Sequence, residues 1–444
     1  MKKIILLFSV STISIAVFAQ TTIDSIKKWN YHFQLTVINQ NHPSFKAKYS
    51  GDNSLINDAE HRKLSLTTTL FLGHKLWKNG AIYFNPEIAG GSGISSAKGI
   101  AGFTNGETFR IGSTAPALYV ARLFLRQHIP LKNTDYKTVV SNVNQIEEKI
   151  PTSRITITVG KISLDDFFDN NTYSHDPRSQ IMNWSLMSNA AWDYPADTRG
   201  YTKGVVAELI KPFYAVRFSS VLVPRKANGL QLDYKITKAH SETVEFEKTF
   251  KTKHPTTIRL LAFHTISQAP SYNNTLIQTK NGDSTSVDVY TGQKEWKIYG
   301  GVKYGFGLNT EKEISNTVST FLKASWNDGK TATWAFTEID RSISAGLNIK
   351  GTTWKRPTDM VGIAQVINGI SKDHQAFLGA GFYGFIIGDG KLNYGAEAIT
   401  EIYYKAQITN SFFISADYQF VNNPAYNKDR GPVHVFAVRG HIEF

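Results

Sequence analysis

HVFAVRGHIEF, residues 434–444, reads as one alternating strand. Phe436, Val438, Ile442 and Phe444 fall on one face, and Val435, Ala437, Arg439, His441 and Glu443 on the other. A strand of this kind, ending on an aromatic carboxylate, is what a bacterial outer-membrane β-barrel needs. Its last strand seals the cylinder, and the terminal ring sits at the membrane interface.

The same alternation recurs upstream. Tyr31, Phe33, Leu35 and Val37 oppose His32, Gln34 and Thr36, and Ile155, Ile157 and Val159 oppose Arg154, Thr156 and Thr158. About sixteen such segments are expected, at 30–40, 63–72, 81–89, 118–128, 154–163, 201–210, 213–224, 256–266, 295–307, 316–326, 333–349, 358–368, 375–388, 396–406, 409–420 and 433–444. The stretch 229–294 is ambiguous and leaves room for a further hairpin, so eighteen strands is the alternative count. Lys211-Pro212, Thr409-Asn410 and Asp328-Gly329-Lys330 mark tight turns, whereas 90–117, 164–200, 225–255 and 421–432 are long. Short turns at one end and long loops at the other form the outer-membrane pattern. Aromatic pairs such as Trp29 with Tyr31, Trp296 with Tyr299 and Tyr403 with Tyr404 fit interfacial girdles. A soluble sandwich or propeller would also alternate, but would not explain this loop asymmetry.

The N-terminus agrees. Lys2 and Lys3 precede a mostly apolar run from Ile4 to Phe18, and Val17-Phe18-Ala19 offers a cleavage point, which reads as a secretory signal peptide. Domain organisation is therefore expected as a signal over 1–19 and one barrel over 20–444; the formal charge falls from +13 to +11 when the two lysines leave. No segment has the length and apolarity of a transmembrane helix. The chain has no cysteine, which excludes disulfides and thiol chemistry. Its basic residues are scattered and follow no nucleic-acid motif, so no nucleic-acid partner is expected.

If the apolar faces meet lipid, the polar faces line a lumen. Arg154, Arg217, Arg259, Lys323, Lys405 and Arg439 would then face Glu401, Asp417 and Glu443 inside, either disfavouring small cations or pairing across strands. The loop LDDFFDNNTYSHDPRSQIMNWSLMSNAAWDYPADTRG, residues 164–200, is the richest segment. Asp176 and Pro177 read as the cap and first position of a short helix running from Arg178 to Met187. Folded into the mouth, this loop would narrow the pore. Trp184, Trp192 and Tyr194 would either offer flat faces to sugar C–H groups or pack the loop against the wall; Asp193, Asp197 and Arg199 would bond hydroxyls. Its carboxylates Asp165, Asp166, Asp169 and Asp176 lack calcium-loop spacing, and ion pairs to Arg178 or Arg199 are their expected use. A second loop, GGSGISSAKGIAGFTNGETFRIG over 90–112, offers Asn105, Glu107 and Arg110 for a constriction or for loop packing. No metal site and no cofactor are expected.

Several stretches resemble the carbohydrate-selective porins of the OprB-like family. The longest is GKISLDDFFDNNTYSHDPRSQIMNWSLMSNAAWDYPADTRGYTKG, residues 160–204, supported by NHPSFKAKYSGDNSL over 41–55, GFTNGETFR over 102–110, RLFLRQ over 122–127 and DYQFVNNPAYNKDRGPV over 417–433. The region 225–295 carries no resemblance. The resemblance implies a sixteen-stranded barrel passing glucose and related sugars by facilitated diffusion, with inward loops forming an eyelet of arginines and acids. Carried onto this chain, it implies Glu107, Arg110, Arg178, Asp193 and Arg199, with Arg122 and Arg126 on the neighbouring strand.

The expected fold is thus an all-β transmembrane antiparallel barrel with inward-folded long loops. The expected function is a passive sugar porin, with a general or anion-preferring porin as the alternative. Its partners would be small sugars, outer-membrane lipid and the barrel assembly machinery reading the last strand, in a monomer or a homotrimer. A barrel hydrolase would need an oriented nucleophile and base. Ser174 and His175 are adjacent, but extended-chain neighbours point apart, and no nucleophile elbow exists. An energised receptor would need a plug and about 22 strands, for which the chain is too short.

Overall fold

The two ends of the chain are joined by a hydrogen-bond ladder. A computed structural model describes residues 28–91, 93–108 and 115–444. In it β1 (Trp29–His42) pairs antiparallel with β18 (Val433–Glu443), with Gln34 opposite Glu443 and Asn41 opposite Phe436. The Phe33 N–H donates to the Phe444 carbonyl at 2.9 Å, the reverse bond is 3.1 Å, and the two rings lie 5.3 Å apart. The proposed signal and Arg110 lie outside the described residues.

Between these ends run β2 (Glu60–Trp77), β3 (Gly80–Gly91), β4 (Ala117–Pro130), β5 (Tyr136–Val139), β6 (Glu148–Pro151), β7 (Arg154–Ile162), β8 (Thr202–Ile210), β9 (Tyr214–Val221), β10 (His240–Phe250) and β11 (Thr256–Ser267). They are followed by β12 (Gly301–Glu313), β13 (Val318–Asn327), β14 (Arg341–Lys350), β15 (Met360–Gly369), β16 (Glu397–Gln407) and β17 (Phe412–Asn422). All but β5 and β6 form one closed antiparallel barrel of 16 strands, each paired with its neighbour in sequence. Closure pairs each barrel strand on both sides, as a lipid environment requires, except that β4 runs beyond its pairing with β7.

Period-two patterning sets the two faces. In β11, Leu260 points out and is 54% exposed, while Arg259 and Leu261 on either side are buried inside. Phe306, Ile343, Phe436 and Val438 likewise lie exposed on the outer wall. Trp29, Tyr31 and Trp77 stand exposed near the short-turn end, where an aromatic belt is placed. Tyr403 is a correction to the expected girdle: it points inward, and its hydroxyl donates to Asn348 Oδ1 at 2.9 Å.

The strand count matches expectation, but by exchange. The segment 375–388 is not a strand; Lys372–Gly379 is a helix, its N-terminus capped by the Ser371 hydroxyl accepting from His374 N–H at 3.0 Å. His374, Phe377 and Leu378 are its buried residues, at helical and not strand spacing. The missing strand is β10, inside the ambiguous 229–294, where Val244 and Phe246 face out and Glu245 and Glu247 face in. Asp328-Gly329-Lys330 belongs to a connection at the long-loop end, between β13 and β14, and is not a tight barrel turn. The helix expected from Arg178 to Met187 shrinks to Trp184–Met187, capped by Asn183. Asp176 caps one isolated turn, accepting from Arg178 N–H at 3.0 Å and Ser179 Oγ at 2.5 Å.

One end carries short turns, such as 78–79, 211–213, 314–317 and 408–411. The opposite end carries the long connections, including 92–116, 163–201, 268–300 and 370–396. The turn end has one long connection, 131–153, which contains the β5–β6 hairpin and was not anticipated.

Replacing Leu260 by Lys would put a charge on the lipid face, near the middle of β11. It is expected to lower the folding free energy in bilayers by about 2–4 kcal/mol, measured by denaturant titration in liposomes; no loss would remove Leu260 from the lipid boundary.

Candidate functional site

A wide barrel needs something to narrow it, and here the loop 163–201 crosses the bore. Most of its backbone has no regular structure, so its buried N–H and C=O groups need partners from elsewhere. The inward faces of distant strands supply them. On one side Glu245 accepts from Asp169 N–H at 2.7 Å, and Glu311 accepts from Thr172 N–H at 2.6 Å. Lys323 donates to the carbonyls of Ser174 and Met187 at 2.7 and 2.8 Å. On the other side Glu401 accepts from Met182 and Asn183 N–H at 2.6 and 2.8 Å, and Arg439 donates to the carbonyls of Pro177 and Gln180 at 2.5 and 2.8 Å. These bonds also explain why the longer helix does not form: wall carboxylates hold two of the N–H groups it would need. Gly106 itself lies against this bar, where a Cβ would crowd Met187 and Pro177.

Two of the expected aromatic faces are inside this packing. Trp184 lies between Phe103 and Phe336, at ring separations of 5.0 and 5.1 Å, with one edge on open space. Trp192 is 1% exposed and packs on Phe168 and Tyr194. Asp193 receives the backbone N–H groups of Trp334, Ala335 and Phe336 at 2.8, 3.1 and 2.8 Å, tying a third loop to the bar. Asn105 is equally buried, donating to Ser65 Oγ at 2.9 Å and accepting from Glu107 N–H at 2.9 Å. The upper bore is therefore not a uniformly polar lumen, because the loops bring an aromatic core into it.

Open space remains on the side of β1 to β9. A cavity of about 300 Å³ is lined by Gln34, Glu107, Arg122, Asp165, Asp166, Arg178, Trp184, Arg199 and Tyr201. Arg178 donates to Glu107 at 2.9 Å, Gln34 at 3.1 Å, Thr69 at 3.2 Å and Glu87 at 3.3 Å. Burial would weaken its charge, but Glu107 and Glu87 hold the guanidinium well above its ordinary pKa. Arg122 meets Asp166 in a two-pronged bridge, both bonds 2.6 Å. The Arg199 guanidinium sits 4.0 Å over the Tyr119 ring. Glu87 was missing from the candidates, yet it accepts from Tyr119 at 2.6 Å and Tyr201 at 2.8 Å. Its inward place in β3 was readable from alternation; its convergence with Tyr201 was not.

Below lies a second cavity of about 280 Å³, lined by Tyr83, Arg126, His128, Glu148, Arg154, Asp166, Glu208 and Arg217. Asp166 borders both. The unanticipated connection 131–153 forms its wall, entering the bore from the turn end. Asn30 donates to Ser141, Asn142 and Gln145 at 2.7, 3.2 and 2.9 Å, Asn85 donates to Asn144 at 2.9 Å, and Arg126 donates to the Asn144 carbonyl at 3.0 Å. Arg126 thus serves the lower cavity. Arg217 and Arg259 do pair across strands, bridging Glu208, Glu245, Glu247 and Glu311. The Ser174 hydroxyl donates to the Leu186 carbonyl at 2.5 Å and is not set against His175.

A closed barrel with paired arginines and acids around a narrow polar passage is a channel architecture, and the comparisons say which. Residues 59–444 match the profile described as carbohydrate-selective porin, OprB family. The chain belongs to that family. A solved structure of Pseudomonas putida OprB at high pH is similar over 94% of each chain, with 14% identity and a TM-score of 0.65. The outer-membrane channel DcaP of Acinetobacter baumannii is similar over 94% of this chain and 97% of that one, with 9% identity and a TM-score of 0.50. At these identities the likeness is one of fold. No curated protein matches the chain. The protein is an outer-membrane, carbohydrate-selective porin and not an enzyme.

Asp165 gives the upper cavity a pH dependence. Burial raises the Asp165 carboxyl to about 6, with His175 pulling it back and Asp169 and Asp166 adding to the rise. Its Oδ1 has no hydrogen-bond partner. As pH climbs through about 6 the cavity gains one negative charge. Anion preference, read from reversal potentials across a salt gradient, is expected to fall over that interval, and Asp165→Asn to flatten the step. A step unchanged in the variant would assign the titration elsewhere.

Proposed function

We propose that the porin passes monosaccharides, glucose among them, through the two cavities that meet at Asp166, and that Arg178, Glu107, Arg122 and Arg199 contact the sugar. The observation carrying this reading is the composition of the upper cavity. Three guanidinium groups and four carboxylates face it, with Trp184 and Tyr201 at its sides. Alternating charged donors and acceptors match the hydroxyl pairs of a pyranose. Because the charges pair with one another, the site favours a neutral polyhydroxyl solute over an ion of one sign. At about 300 Å³ the upper cavity is at the lower limit of small-molecule pockets, which favours a monosaccharide over a longer chain. No bond is made or broken; direction comes from the concentration gradient.

Asn105, Trp192 and Asp193 act in this reading by shaping the loops, and Arg126 by lining the lower cavity. Arg110 is assigned to the same loop as Glu107. The leader is assigned to export, with removal after Ala19.

Liposome swelling tests the reading. Glucose is expected to enter faster than a neutral amino acid of similar size, and equal rates would remove the claim of sugar preference. Arg178→Ala removes a charged donor worth about 1.5–3 kcal/mol. The glucose concentration that half-blocks ion current should rise about tenfold or more. Separately, replacing residues 140–147 by a short Gly-Ser link should raise single-channel conductance while leaving upper-cavity glucose block in place. Unchanged conductance would mean that this connection does not narrow the route.

A further inference from the structure

The outer wall carries a second, unrelated feature at the long-loop end. The pairing of β4 with β7 stops at Leu123 opposite Lys161, while β4 continues to Ala117 paired with β3 alone. Among the described residues one edge of β4 is therefore left without a strand partner, an arrangement that in lipid would cost several kcal/mol per unsatisfied group. Lys161 compensates by donating its ammonium to the Val120 carbonyl at 2.7 Å. The gap forms an outward groove of about 810 Å³, walled by Val120, Leu123, Val159, Val205 and Ile236. Its apolar lining is that of a slot for hydrocarbon.

Directly above it lies a polar pocket of about 590 Å³ that includes Arg225, Asp233, Tyr234, Lys235, Glu295 and Tyr299. Lys161 and Lys203 border both spaces and stand opposite each other across β7 and β8. The pocket's carboxylates already have partners. Asp233 accepts from Lys235 N–H, Gln268 and Tyr299 at 2.9, 3.0 and 2.9 Å, and Glu295 pairs with Arg225 at 2.8 Å. Asp197, on the same wall, accepts from the N–H groups of Arg199 and Tyr201 at 2.9 and 3.2 Å. Lys161, Lys203 and Lys235 form no ion pair among the described residues, and Lys203 is held by the Tyr234 hydroxyl at 2.7 Å. An apolar slot thus opens into a head pocket whose four cations outnumber its three carboxylates, with two tyrosines and several hydrogen-bonding side chains.

We propose that this groove and pocket form a binding site for a phosphorylated glycolipid of the outer leaflet. An acyl chain lies in the groove, a phosphate meets Lys203 and Lys235, and the saccharide hydroxyls lie against Tyr234 and Tyr299. Charge complementarity selects the phosphate, and continuity of the two spaces selects a lipid over a soluble anion. The long-loop end places the site in the outer leaflet.

Purified porin in detergent would be mixed with diphosphoryl lipid A, and the bound fraction read by native mass spectrometry. Enzymatically dephosphorylated lipid A and inorganic pyrophosphate are the comparison arms. Wild type is expected to retain the diphosphoryl form preferentially. Lys203→Gln/Lys235→Gln is expected to weaken retention about tenfold or more, and Ile236→Glu, which blocks the groove, to weaken it as well. Glucose swelling rates of both variants should match wild type, which shows that the barrel is folded and separates this site from the sugar route. Equal retention by wild type and the lysine variant, equal retention of the dephosphorylated lipid, or displacement of the lipid by pyrophosphate at equal concentration would overturn the proposal.

Discussion

The structure depends on wall side chains that hydrogen-bond to loop backbone. A strand ladder satisfies its own N–H and C=O groups, but a loop drawn across a barrel loses water and has no ladder to join. Glu245, Glu311, Lys323, Glu401 and Arg439 meet that need from both sides of the bore. Each is an ionisable group buried in the fold, which is costly unless it is fully bonded. Their directed bonds offset that cost and fix the loop in one position, so the passage has a defined width.

From this follows the asymmetry of the bore. Once the loop 163–201 is tied to β10–β13 and to β16–β18, the aromatic rings it carries stack with Phe103 and Phe336 and fill the middle. Open space is left on the side bounded by β1 to β9. There Arg178 and Glu87 organise the upper cavity, and the connection 131–153 narrows the lower one from the opposite end. The net positive charge of the chain therefore does not describe the passage, where guanidinium groups and carboxylates pair closely. This pairing is compatible with a neutral, hydroxyl-rich solute in a way that a one-signed bore would not be.

The barrel class was legible from period-two alternation and from the contrast of turns and loops, because both are local consequences of strand geometry between lipid and water. Failures occurred where local pattern and tertiary demand part. The segment 375–388 was apolar enough to read as strand, yet Ser371 caps a helix whose buried residues are His374, Phe377 and Leu378. β10 alternates as its neighbours do, and its inward glutamates answer to Arg217 and a loop N–H, partners that sequence alone does not name. Asp176 and Pro177 signalled a helix start, and one turn formed before Glu401 took the next N–H groups.

Among the candidate residues, Glu107, Arg122, Arg178 and Arg199 meet at one cavity, while Asn105, Trp192 and Asp193 hold the loops together. Residue type alone does not separate these roles, since an aspartate can bond a sugar hydroxyl or three backbone N–H groups equally well. Sequence by itself determined a closed sheet with an apolar exterior, because each strand carries its own inside and outside in alternate residues. Only the tertiary structure decided which polar groups remain open to solute, because that depends on where a loop crosses the bore and which wall groups its backbone occupies.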